Sequence, residues 1–117
     1  FGHLRDPYHR IDIRPTSRAI TASINGRVVA ETTGAYVLSE TGLPNRYYIP
    51  EADVRAELFT TSNTSTHCPY KGDTNYRSLA DTEAGADIAW IYADPFDESV
   101  RIAGYWSFDS DRVTIAG

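Results

Sequence analysis

The sequence predicts a mainly β fold, and three observations carry that expectation. Short β-rich runs recur along the chain, each closed off by Gly, Pro, Asn or Asp. One of those closures, Asn25-Gly26, is the strongest short hairpin signal a sequence carries, because a type I′ turn needs positive φ at both central positions. Finally, the 117 residues include eight tyrosines and no methionine. Tyrosine has an apolar body and a polar tip, which suits half-buried strands and pocket walls.

In chain order, "AITASINGRVVAET" reads as a hairpin about Asn25-Gly26. With a two-residue loop, Ile24 opposes Arg27 and Ala22 opposes Val29, which sets Ile20, Ala22 and Val29 on one face. "AYVLSE" (35–40) is a third strand, and "TGLPN" (41–45) is a turn in which Pro44 fixes φ. "RYYI" (46–49) is a short strand with Tyr47 and Ile49 on one side and Arg46 and Tyr48 on the other. "PEADV" (50–54) suits one helical turn at most. "RAELFTT" (55–61) alternates and reads as a strand, and "SNTST" (62–66) as a polar loop. "NYRSLAD" (75–81) is another strand, followed by a hairpin turn at "TEAG" (82–85).

"DIAWIYAD" (87–94) is apolar on both faces, with Ile88, Trp90 and Tyr92 on one and Ala89, Ile91 and Ala93 on the other. That pattern fits a central strand covered on both sides. Asp94-Pro95 followed by "FDESVRIAG" suits a short helix ending at Gly104, and "YWSFDSDRVTIA" a last hairpin through the Asp109–Asp111 turn. The count is seven or more short strands with no long helix, in one domain over residues 1–117.

Charge narrows the function classes. The formal net charge is −5, and it is uneven: residues 1–50 carry six Arg against four acids, and residues 51–117 five basic residues against twelve acids. An acidic domain without a basic stripe argues against nucleic-acid binding, which needs phosphate neutralisation. No stretch approaches 18 consecutive apolar residues, so no membrane partner is expected. One cysteine makes no internal disulfide, which points to a reducing, cytoplasmic setting. The chain begins "FGHLRDPYHR", without Met, as expected of a domain taken from a longer polypeptide.

Metal and nucleotide chemistry find little support. Structural zinc wants four Cys or His ligands in close pairs. Here one Cys meets three His (His3, His9, His67) with no paired spacing, so no metal and no cofactor are expected. There is no phosphate loop and no dinucleotide fingerprint.

The lone cysteine sits in "THCPYKGDTNY" (66–76). A nucleophilic Cys68 needs a cation or histidine to lower its pKa. Lys71 approaches if 68–71 turns, whereas His67 is adjacent and faces the other way in extended chain. Free cysteines are also often simply buried. "SETGLPNRYY" carries Glu40 and Arg46 on either side of a turn, as an ion pair or as a clamp on a ligand. Around them the sequence offers Tyr47, Tyr48, Tyr70, Trp90 and Tyr92. A few polar groups among aromatic walls is the composition of a small-molecule pocket.

Four stretches together resemble one family. "ETGLPNRYYIP" (40–50), "THCPYKGDTNY" (66–76), "IAWIYADP" (88–95) and "RIAGYWSFDSDRV" (101–113) are similar, in order and over nearly the whole chain, to domain of unknown function 427. The matching positions are Glu40, Thr41, Gly42, Arg46, Tyr47, Cys68, Pro69, Tyr70, Lys71, Gly72, Trp90 and Tyr92, and no role comes with them. The resemblance implies a β-tent, two antiparallel sheets meeting at an angle. Zinc-binding relatives of that fold use Cys-x-x-Cys pairs, absent here. The family's nucleotidyltransferase label implies a glycine-serine loop and a spaced acidic pair, also absent here. The opening (1–17) looks like the lead-in to the second domain of a tandem member, which implies a preceding homologous domain in the same polypeptide.

The leading expectation is a binder of a small molecule in an aromatic-lined cleft. Glu40, Arg46, Tyr70 and Lys71 supply polar contacts, and Tyr47, Trp90 and Tyr92 the walls. The alternatives are a thiol-dependent enzyme with Cys68 as nucleophile and Lys71 or His67 as activator, and an interaction module docking through tyrosines.

Overall fold

The structure is a computed structural model, and it describes residues 10–68, 72–81, 85–93, 95 and 101–117. Ten strands occur among these residues: β1 Ile11–Pro15, β2 Ile20–Ile24, β3 Arg27–Thr32, β4 Tyr36–Glu40, β5 Arg46–Tyr48, β6 Phe59–Cys68, β7 Gly72–Leu79, β8 Ala89–Ile91, β9 Trp106–Phe108 and β10 Thr114–Ala116. The only described helical pieces are 3-10 turns such as Glu51–Asp53 and Ala56–Leu58. The mainly β class is therefore correct. No helix of the described residues is long and apolar enough to cross a membrane.

The strands form three antiparallel sheets, ordered β1-β4-β5, β10-β2-β3 and β6-β7-β8-β9, rather than the two expected. The β2-β3 hairpin joins neither of the other sheets and, with β10, forms the third. β9 and β10 were expected to form a hairpin, yet β9 pairs with β8 and β10 with β2. The turn between them explains the divergence. The Arg112 and Val113 N–H groups fold back onto the Asp109 carbonyl. The Arg112 guanidinium then donates to the Ala86 and Asp87 carbonyls at 2.8 and 3.2 Å, tying the turn to the chain ahead of β8. The last strand thus crosses to β2 instead of returning along β9.

The Asn25-Gly26 turn forms as read, with φ of 51° and 82°, and Ile24 opposes Arg27. Ala22, however, opposes Ala30 rather than Val29. A bulge inserts Val29 as an extra residue, and both Val29 and Ala30 are buried. Two further expectations shift. "RAEL" makes a 3-10 turn before β6, in keeping with the helix preference of Ala, Glu and Leu. "SNTST" is not a loop but the middle of β6, where three residues bulge between the Thr61–Arg77 and Ser65–Asn75 pairs. Ser62 Oγ contacts Asp87 Oδ1 at 2.5 Å there, and the Thr64 N–H donates back to Ser62 Oγ. The turn expected at 82–85 falls largely, and the helix expected over 96–104 partly, outside the described residues; Gly104 itself has φ +76°.

Two buried clusters result. The larger lies between the β10-β2-β3 and β6-β9 sheets and includes Ile20, Val29, Ile49, Phe59, Trp106 and Phe108. The smaller gathers Ile13, Leu38, Tyr48, Tyr92 and Ile102, with Ile11, Tyr36, Trp90 and Tyr105 packed against it. β5 belongs to both. Its end makes a reciprocal backbone bridge, Ile49 with Trp106, at 2.8 Å in each direction. That bridge joins the β1-β4-β5 sheet edge-on to β9, and the junction of these sheets positions the candidate site.

Candidate ligand-binding site

Alternation along β5 decides which residues enter the junction. Tyr47 and Ile49 pack on the large core. Tyr48 lies in the small cluster, and the Arg46 guanidinium carbon lies 5.0 Å from the centre of the Trp90 ring. Arg46 and Tyr48 thus share a face, as the alternation predicts. β4 supplies the next row: Leu38 opposes Arg46, Tyr36 opposes Tyr48, and Glu40 follows in the same phase, 8% exposed.

The β6-β9 sheet supplies the opposing wall. Trp90 of β8 pairs with Tyr76 of β7 on one side and Ser107 of β9 on the other. Its ring centre is 6.3 Å from that of Tyr76. Its indole N–H donates to the Tyr48 hydroxyl at 3.2 Å, so the wall is tied to the β5 strand that faces it. Tyr92 completes the contact, with its ring 6.3 Å from Tyr48. Burial pushes the Tyr48 phenol far above its ordinary pKa, and Tyr92 adds to that. The Trp90 hydrogen bond and the Arg46 charge only partly offset it. Tyr48 is therefore a neutral hydrogen-bonding group at any physiological pH.

Glu40, Arg46, Trp90 and Tyr92 thus come together. Tyr47 does not: it packs on the large core, on the other side of β5. Glu40 and Arg46 do not form the ion pair considered from the sequence, since the guanidinium lies on Trp90 instead. Lys71 and Tyr70 lie outside the described residues. Cys68 pairs with Gly72 across the β6–β7 hairpin, in phase with the Thr66–Thr74 and Tyr76–Trp90 pairs. Four residues of strand separate it from Trp90's row, about 13 Å at strand rise. His67 is in the opposite phase, and its Nδ1 contacts Asp73 Oδ1 at 2.8 Å.

Two residues that the sequence reading did not place in the site belong to it. Tyr48 accepts the Trp90 indole hydrogen bond, and its phase with Arg46 was the signal for it. Ser107, 1% exposed, lies beside Trp90, and its hydroxyl makes no hydrogen bond with any described residue. A serine between Trp106 and Phe108 in a three-residue strand is the only local sign of it.

Concavities lie among the described residues. One of about 350 Å³ is lined by Ile24, Leu79, Ile88 and Arg112, and another of about 460 Å³, beside the small cluster, by Thr16, Thr33, Tyr36 and Tyr105. Among the described residues, no three His, Cys, Asp or Glu side chains gather as metal ligands.

The fold and site together define an antiparallel β domain with an aromatic, partly polar inner face where two sheets meet. A family model described as domain of unknown function (DUF427) matches residues 12–116, and the chain belongs to that family. No curated protein matches it.

Proposed function

We propose that this domain binds a small molecule at the junction of the β1-β4-β5 and β6-β9 sheets. Arg46 and Glu40 are its polar contacts and Trp90 and Tyr92 its walls, with Tyr48 fixing Trp90. The supporting observation is the Arg46 guanidinium over Trp90, with the indole held by Tyr48. Stacking on an indole orients a guanidinium and leaves its N–H edge available, an arrangement suited to recognition. The large core shows the contrast, because the buried hydroxyl on its face, Thr32, is bonded within the protein to Asp53.

A thiol mechanism draws no support from the described geometry. His67 is aligned with Asp73, out of phase with Cys68. The reading is therefore a binder, and a single cysteine, which makes no internal disulfide, supports a reducing, cytoplasmic setting.

The test is a thermal-shift screen of small polar aromatic and acidic compounds, with hits checked by intrinsic fluorescence. Trp90 and Trp106 are the two reporters, and Trp106 is buried in the other cluster. The expected hit raises Tm in proportion to its binding and quenches emission in the wild type but not in Trp90→Phe. Hits that bind Trp90→Phe and Tyr92→Phe unchanged would remove the site from this junction.

A further inference from the structure

We infer that the ligand of this site is an oxyanion, a small carboxylate or phosphate ester gripped by the fork of Arg46. This deepens the binding reading above and rests on it. Two observations that the fold itself does not require point the same way.

The first is the state of Arg46. A guanidinium presents five N–H donors in a rigid plane and no acceptor. Arg46 is half-buried, yet it makes no hydrogen bond or ion pair with any described residue, and its one described contact is the face of Trp90. Other arginines of the chain show the usual alternative. Arg27 pairs with Asp81 at 3.1 Å, and Arg112 spreads its donors over Asp109, Ala86 and Asp87. An arginine fixed by stacking, with its donor edge uncommitted, matches a planar two-oxygen acceptor.

The second is Ser107. Its hydroxyl is buried and unpartnered among the described residues. By register it stands beside Trp90 on the face that carries Tyr48, so it opens toward the same junction as Arg46. Buried hydroxyls are nearly always bonded, and an orphan one at a junction of two sheets is a donor set aside for something else. Arg46 supplies charge and geometry, Ser107 a neutral donor, and Trp90 a flat surface for the ligand's body. The nearby acids do not oppose this. Burial raises the Asp109 pKa, but hydrogen bonds from the Asp111 N–H and Arg112 and the charges of Arg112 and Arg46 outweigh it. Asp109 is thus committed to its own turn. Glu40 likewise has a partner of its own, so it borders the anion and is not one of its contacts.

The experiment compares benzoate, phenyl phosphate and benzamide at constant ionic strength, read by Trp fluorescence and thermal shift. Benzoate and phenyl phosphate separate the two oxyanion sources, and benzamide keeps the ring without the charge. The expected result is saturable binding of one or both anions at least about tenfold tighter than benzamide. That preference disappears in Arg46→Ala and falls in Ser107→Ala, while Arg55→Ala, an exposed arginine at a distant turn, retains it. Should Arg46→Ala fold poorly, Arg46→Lys decides, because it keeps the charge but loses the fork. Benzamide binding as tightly as the anions would overturn the oxyanion and leave an aromatic cleft. Anion binding that survives in both Arg46 variants would overturn the role of Arg46. No binding by any of the three, set beside a Trp90-dependent neutral hit from the screen, would overturn this inference while the binding reading stands.

Discussion

The two buried clusters meet across β5 and β8 and are unlike each other. Between the β10-β2-β3 and β6-β9 sheets, the aromatics Phe59, Trp106 and Phe108 interlock at 5.2 to 6.3 Å, and the buried hydroxyl of Thr32, opposite Ile20, is bonded to Asp53 at 2.6 Å. On the opposite face of β8 and β9, two tyrosines enter the buried set, and a buried glutamate, a stacked guanidinium and an orphan hydroxyl lie beside them. The contrast teaches that one face is organised for stability, while the other carries polar groups whose desolvation stability alone does not explain. Substitutions on the two faces should therefore differ in size and in sign.

The largest effect belongs to the apolar face. Trp106 is 2% exposed, packs edge-on against Phe59 and donates its indole N–H to Glu51 at 3.1 Å. Trp106→Ala leaves a cavity and an unpaired carboxylate oxygen, and should cost about 3–5 kcal/mol in urea unfolding. A loss below about 1 kcal/mol would show that this face is not the stability core. Next comes Gly85, where a Cβ would sit 2.5 Å from Leu79 Cβ, inside the same core. Gly85→Ala should destabilise by about 1–3 kcal/mol through overpacking, read as a drop in the urea midpoint without a change in slope.

A smaller effect separates the tyrosine from its ring. Tyr48→Phe keeps the apolar body but removes the acceptor for the Trp90 indole N–H. The expected cost is about 1 kcal/mol, with altered Trp90 emission. A spectrum that stays unchanged would mean the hydrogen bond does not fix the wall.

Acid should act elsewhere, on the turns. The Ser62 hydrogen bond, with Thr64 adding, holds Asp87 below the ordinary carboxylate range, and Asp109 is also lowered on balance. A folded pKa below the unfolded value of about 3.9 stabilises above that pH, and the contribution is lost as pH falls through the folded value. Tm should hold steady from neutrality to about pH 4 and decline below it. Solvent screening keeps the contribution of each exposed carboxylate small. A fall already complete at pH 5 would assign the transition to other groups.

How much of this was legible in the sequence follows the range of the interactions involved. The Asn25-Gly26 hairpin and the phase of Arg46 with Tyr48 are local, and both were readable. The bulge at Val29 was not, because it depends on how β3 meets Val54 across the fold. Nor was the strand through "SNTST", whose Ser and Asn residues carry little β preference of their own and which is held in β6 by pairing with β7 across the hairpin. The expected final hairpin failed for the same reason, since partner choice for β10 was decided by Arg112 reaching to Ala86 and Asp87. In the site, the composition of Glu40, Arg46, Trp90 and Tyr92 was visible, and so was Tyr47's phase opposite Arg46; which of the two faces carries the site followed only from the contacts of β5 with the large core and with Trp90.

The smallest expected effect gives the sharpest test of the comparison. Ser107→Ala removes one hydroxyl from a site that is 1% exposed and offers it no partner among the described residues. On an apolar face, deleting a bonded hydroxyl costs stability, because its partner is left unsatisfied. Here no partner is lost, and an unsatisfied polar group leaves the interior. The variant should therefore equal the wild type or exceed it, by up to about 1 kcal/mol, or a rise in Tm of roughly 1–4 °C. The same substitution should weaken binding of the oxyanion probes. A gain in stability joined to a loss in binding is the mark of a residue held against the interests of the fold. Differential scanning calorimetry of the unliganded proteins, followed by titration with benzoate and phenyl phosphate, reads both terms. A Ser107→Ala variant destabilised by more than about 1 kcal/mol, with binding intact, would return Ser107 to the scaffold and narrow the difference between the two faces to Arg46 and the tyrosines alone.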